Sequence, residues 1–70
     1  MNRYVTGSMI RQMREKKNMT QEELSEKSGV SRSIVSGLES GRTTQTTVKT
    51  LEKLADALGV DISSFFINSA

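Results

Sequence analysis

The stretch "TQEELSEKSGVSRSIVSGLESG", residues 20–41, constrains the fold more than any other part of the chain. Thr20 and Glu23 have the capping-box spacing, in which the hydroxyl accepts from the third amide of a helix and the carboxylate reaches back to the cap. A helix therefore starts at Thr20, and Gly29 ends it. Ser31 is a favourable N-cap for the next helix, which closes at Gly41. So short a connection places the two helices at a steep angle, with Leu24, Val30, Val35 and Leu38 as the side chains that pack them.

Helical spacing extends to both sides. A first helix is expected from Thr6 or Ser8 to Lys17, with Ile10 and Met13 inward, and Asn18 suits the left-handed residue that ends it. A fourth starts at Thr46 or Thr47. In it Val48, Leu51, Leu54, Ala55 and Leu58 recur at helical spacing until Gly59. Asp61 is expected to cap a last short turn containing Ile62, Phe65 and Phe66. No strand is convincing; Val60 to Ile62 is too short for one. The expectation is an all-α domain of five helices over residues 6–67, with a helix-turn-helix at 20–40 and tails at 1–5 and 68–70.

Composition narrows the chemistry. Seventy residues with 34% hydrophobic content make one small domain with little surplus core. There is no cysteine, which excludes disulfides and thiolate metal sites, and no histidine, so a zinc site would need carboxylates alone. No metal or cofactor is expected. An enzyme would have to rest on exposed Ser, Lys and carboxylates, which argues against catalysis. No apolar run approaches the ~20 residues that span a bilayer, and "MNRYVTGSM" lacks the apolar core of a signal peptide. A soluble cytoplasmic chain is the expectation. The net charge of +2 hints at an anionic partner. Arg3, Arg11, Arg14, Lys16 and Lys17 oppose Glu15 near the start, while Glu22, Glu23 and Glu26 form an acidic face.

The third helix has an unusual outer face: Ser31, Arg32, Ser33, Ser36, Gly37 and Ser40. Solvated helices favour Glu, Lys or Gln there, since Ser and Gly are poor helix formers. Residues 7 to 66, through "IRQMREKKNMTQEELSEKSGVSRSIVSGLESGR" and "LEKLADALGVDISSFF", resemble the lambda-repressor/Cro (XRE) type of helix-turn-helix protein. The resemblance implies a compact lambda-repressor-like DNA-binding domain whose third helix lies in the major groove. It makes Arg32, Ser33, Ser36 and Gly37 the base-reading stripe, with Arg32 suited to bidentate contact with guanine. It assigns phosphate contacts to Arg14, Gln21, Ser31, Ser40, Arg42, Thr43 and Thr44, and makes Thr46 a further hydroxyl in the loop after the recognition helix. It also pairs Arg14 with Glu39 as an ion pair linking the first helix to the third. Arg3 is not expected to act as an N-terminal arm; a short tail is usually disordered.

Two residues depart from the family pattern. Ser25 stands where a small Ala is usual, and is expected to bond a carbonyl one turn back. Gly37 stands where a base-reading Gln, Arg or Lys is common, so specificity leans on Arg32 and on DNA shape. The apolar end, Phe65, Phe66 and Ile67, is expected to form a homodimer interface. The expected function is a small repressor of phage, plasmid or bacterial type, binding a double-stranded inverted-repeat operator as a dimer. The alternative is an antitoxin-like module that masks a protein partner, docking on the face of Glu22, Glu23 and Glu26.

Overall fold

The computed structural model describes the backbone of residues 2–5, 7–43 and 45–69. The elements run β1 (Asn2–Val5), α1 (Gly7–Lys16), α2 (Gln21–Ser28), α3 (Arg32–Ser40), α4 (Val48–Leu58), a 3₁₀ turn (Ile62–Phe65) and β2 (Phe66–Ser69). There are four α-helices among the described residues, not five. The expected fifth is the 3₁₀ turn, and Asp61 does not cap its backbone; its carboxylate instead accepts from the Ser63 hydroxyl at 3.0 Å.

Local hydrogen bonding explains where the helices begin and end. Thr20 accepts from the Glu23 amide at 3.0 Å, and Glu23 accepts from the Thr20 amide at 2.8 Å, completing the capping box of α2. The hydroxyls of Ser31 and Thr47 cap α3 and α4 by accepting from the Ile34 and Thr50 amides, without a returning carboxylate. Asn18, at φ 56°, turns the chain out of α1. Gly29, at φ 77°, makes the turn between α2 and α3, in a conformation that costs a residue with a Cβ.

That turn is further stapled by Ser25, in a way local reasoning misplaced. Its hydroxyl donates forward to the Val30 carbonyl at 2.6 Å, not back into α2. The acceptor lies beyond the helix end, where a carbonyl needs a donor. The serine thus ties the end of α2 to the start of α3.

Leu24, Val35, Leu38, Leu51, Leu54 and Leu58 close around Ile10 and Phe65 in a single core, with Met13 packed at its margin. Here α1 contacts α3, and α2 contacts both α3 and α4. Two apolar residues depart from expectation. Val48, at the first position of α4, is exposed although it shares a helix face with buried Leu51 and Ala55. Phe65 is 0% exposed and belongs to the core, not to a surface patch.

The absence of strands also needs correction. Asn2–Val5 and Phe66–Ser69 pair antiparallel, from Asn2 opposite Ser69 to Val5 opposite Phe66. The expected tails are therefore joined backbone to backbone, and the second strand also takes in Phe66 and Ile67, which were expected within the last helical turn and the dimer interface. Neither strand is long enough to show a clear alternating pattern, and each becomes a strand only through the other.

α1 lies so close to α3 that a Cβ on Gly7 would overlap the Leu38 carbonyl oxygen and stand 2.6 Å from its carbonyl carbon. Replacing a helical glycine by alanine ordinarily favours the helix by about 0.5–1 kcal/mol. Gly7→Ala is expected to do the reverse, lowering unfolding free energy by about 1–3 kcal/mol, as overpacking does elsewhere. Urea titration followed by helical circular dichroism measures it.

Candidate nucleic-acid interface

The orientation of α3 is supported by a part-buried cluster of polar groups. Arg14 donates Nε to Glu39 Oε2 at 2.7 Å and Nη2 to Oε1 at 2.9 Å, the two-pronged geometry that suits guanidinium and carboxylate. Nη1 donates to the Met19 carbonyl at 2.7 Å. The Gln21 side chain adds Nε2 to Glu39 Oε1 at 3.1 Å. The Arg14 and Glu39 side chains are only 11% and 3% exposed. The hydrogen bonding of Arg14 to the Glu39 carboxylate raises the Arg14 pKa above its ordinary value, against the opposing effect of burial. The pair named from the sequence is thus present and interior, joining α1 to α3 across the start of α2.

The same geometry changes two expected phosphate contacts. The Arg14 guanidinium is turned inward, and its exposed area is too small for a surface cation. The Gln21 side chain is occupied by Glu39. Sequence reading missed this third member of the cluster; its only signal was that Gln21 follows closely on Met19, whose carbonyl Arg14 also reaches.

On the outer side of α3, Arg32, Ser33, Ser36, Gly37, Arg42 and Thr43 line one shallow surface depression. Arg42 lies back along the helix, with Nε 3.1 Å from Ser40 Oγ and Nη2 3.5 Å from Ser36 Oγ. A second guanidinium therefore flanks the hydroxyl stripe beside Arg32. Ser31 uses its oxygen as an acceptor for the Ile34 amide at 3.3 Å, which leaves its own hydroxyl hydrogen free.

Three residues of the expected interface have internal roles. Gly37 is buried: a Cβ there would stand 2.5 Å from Thr43 Oγ1. It is the seat on which the loop after α3 rests. Thr43 is half-buried on that seat, and its amide donates to the Gly37 carbonyl at 3.0 Å, which holds the start of the loop against α3. Ser40 donates to the Gly37 carbonyl at 3.2 Å and accepts from Arg42, so it orients that arginine. Thr46 is half-buried in the loop. Thr44 and the side chains of Arg3 and Ile67 lie outside the described residues.

At the C-terminal end, Phe65 is buried beneath the surface and so is no interface residue, while Phe66 is half-buried against the core margin. Glu22, Glu23 and Glu26 are exposed on α2.

Residues 10–65 match the family described as Helix-turn-helix. The chain belongs to that family, of the lambda-repressor/Cro type. An uncharacterized HTH-type transcriptional regulator of Sinorhizobium fredii, y4dJ, is 45% identical over 58 residues, which cover 83% of this chain and 74% of that protein. The restriction-modification controller protein C.AhdI of Aeromonas hydrophila has a similar structure, with TM-score 0.82 and 34% identity over 87% of this chain and 91% of that one. SinR, the master regulator for biofilm formation, solved in complex with DNA, gives TM-score 0.83 and 33% identity over 86% and 95%. The DNA-binding domain of SinR comes from Bacillus subtilis.

This helix-turn-helix protein is thus a DNA-binding transcriptional regulator and not an enzyme. No helix among the described residues is long and apolar enough to cross a membrane.

Stranding one member of a buried ion pair costs more than removing both. Glu39→Leu is expected to lower the regulator's stability by about 3 kcal/mol or more. Adding Arg14→Met to that variant is expected to recover most of the loss. Chemical denaturation of the two variants beside the parent protein checks the order; equal and small effects would mean the pair holds nothing.

Proposed function

We propose that the regulator is a repressor that binds an inverted-repeat operator as a homodimer, with α3 of each copy in a major groove. The observation that carries this reading is the depression along α3, where two arginines flank a row of hydroxyls. Small side chains let the helix backbone approach the base edges, and guanidinium is the group best suited to guanine O6 and N7. Arg32, at the first position of α3, reads a guanine, and Ser33 and Ser36 bond base or phosphate. Arg42 and the Ser31 hydroxyl meet phosphates on one side. On the other, the open amides of the first turn of α2, starting at Gln21, face a phosphate as helix N-termini do. SinR in complex with DNA supports the mode of binding by likeness.

One such module makes few base contacts, and burial of Gly37 makes them fewer. Two modules on one duplex supply the missing affinity. A twofold dimer would set its recognition helices about 34 Å apart, one turn of DNA. The contact between copies is assigned to the end of the chain, around half-buried Phe66.

Gel shifts on DNA from immediately upstream of the regulator's own gene, followed by selection from random sequence, test the reading. With about 6–10 phosphates met by the dimer, the slope of log affinity against log salt is expected to be roughly −5 to −9. A slope near zero would reject DNA binding by this face. Arg32→Ala is expected to relax selection at one base pair per half-site, a loss of about 1–3 kcal/mol. Uniform weakening on all sequences would instead make Arg32 a phosphate contact. Phe66→Asp is expected to leave helix content intact and give a monomer in sedimentation at micromolar concentration, with operator affinity lower by orders of magnitude.

A further inference from the structure

Arg42 stands beyond the end of α3, after the left-handed Gly41, yet its guanidinium comes back onto the helix. Nε is 3.1 Å from Ser40 Oγ and Nη2 is 3.5 Å from Ser36 Oγ. Arg32, Ser36 and Ser40 follow one another at intervals of four residues, which puts them in one row along the helix. The guanidinium of Arg42 therefore lies over the row that begins with Arg32, and both arginines line the same depression.

A cation that meets only the DNA backbone needs no such placement, since phosphates flank the groove and carry no sequence information. Holding a long, exposed side chain along a helix also costs rotamer freedom. Here a chain of hydrogen bonds opposes that cost. Arg42 Nε donates to Ser40 Oγ, and Ser40 Oγ donates in turn to the Gly37 carbonyl at 3.2 Å. Each bond in such a chain polarises the next. The Thr43 amide donates to the same carbonyl and fixes the backbone that follows Arg42. A guanidinium has five N–H donors, and the two serines engage only two of them. Those left over are enough for the paired acceptors O6 and N7 of guanine.

We infer that Arg42 is a second specificity-determining residue, which reads a guanine from the loop beside α3, and that Ser40 is its positioning residue. The inference rests on the proposal that α3 enters the major groove, and it goes beyond the phosphate contact that the place of Arg42 in the loop implies. Ser36 and Ser40 lie about 6 and 12 Å beyond Arg32 along the helix axis, at about 1.5 Å per residue. With base pairs about 3.4 Å apart, the second guanine lies about two to four base pairs from the first.

The test uses 7-deazaguanine, which keeps the pairing edge of guanine and lacks the N7 acceptor. In the best site selected from random sequence, each guanine is replaced by it in turn, in both half-sites together, and binding is measured by fluorescence anisotropy. The wild-type protein is expected to lose about fivefold or more per half-site at each of two guanines, the lower end of the range for a bidentate contact. Arg32→Ala is expected to abolish the loss at one of them and Arg42→Ala the loss at the other. Arg42→Lys keeps the charge but not the fork. It is expected to retain the salt dependence of binding and to show no loss at the second guanine. Ser40→Ala is expected to reduce the loss there to about twofold or less, because an untethered guanidinium is no longer pre-organised, and to leave the response at the Arg32 guanine unchanged. Circular dichroism checks that the variants keep their helix content. Equal weakening of all sequences by Arg42→Ala, with every guanine response intact, overturns the reading role of Arg42 and leaves the groove-binding reading in place. A full wild-type response in Ser40→Ala overturns the positioning role of Ser40. Failure to select any sequence at all overturns both the inference and the groove-binding reading.

Discussion

The carboxylate of Glu39 sits near the end of α3 with almost no contact with water, and two other helices converge on it. Arg14 reaches it from α1 through two parallel hydrogen bonds, and Gln21 reaches it from the first turn of α2. Arg14 is at the same time tied to the Met19 carbonyl, just ahead of α2. Removing two charges from water is costly, and a well-packed apolar pair of similar volume often serves stability as well. What an apolar pair lacks is direction. The guanidinium fork accepts one orientation of the carboxylate, so α3 has one angle relative to α1 and α2. The outward face of α3 is useful for recognition only at a fixed angle, and the fork adds a directional contact to the apolar packing of Leu24, Val35 and Leu38.

Glycine at two places lets this arrangement close. At Gly7 the absence of a side chain lets the start of α1 rest on the Leu38 carbonyl. At Gly37 it lets Thr43 fold over the middle of α3 and hold the following loop through a backbone hydrogen bond. The second contact has a functional effect, because the loop carries Arg42, and Ser40 and Ser36 then orient its guanidinium along the helix. A Cβ at position 37 would meet Thr43 and displace the loop that carries Arg42. In the proposed mode of binding, the chain gives up a side chain at position 37 and gains a second cation on the same face. This accounts for a helix whose exposed surface is poor in helix-favouring residues: its serines and glycine are chosen for approach and for internal bonding.

The two ends of the molecule show the same economy. Phe65 closes the core beneath α1 and α4, and the chain then runs directly into β2, opposite β1. A two-stranded sheet is marginal by itself. Here it continues from a buried aromatic and from the start of α1, so the strands are delivered to each other by helices already packed.

Helix boundaries were legible from the residues alone because the interactions that set them are local. Thr20 with Glu23, Ser31 with Ile34, Thr47 with Thr50, and the left-handed Asn18 and Gly29 each act within a turn, so their spacing in the sequence is their geometry. The periodicity of Leu51, Leu54, Ala55 and Leu58 is local in the same sense. The pairing of Arg14 with Glu39 and the reading role of α3 were legible only through likeness to a family, since those residues are 25 positions apart. Tertiary structure decided the rest. It buried Phe65, turned the Gln21 side chain inward, seated Thr43 on Gly37, and made strands of the two chain ends. In each case the partner lies across a turn, a loop or the whole chain. Hydroxyls, amides and aromatic rings can serve a surface or an interior equally well, and only the folded backbone determines which groups stand close enough to claim them.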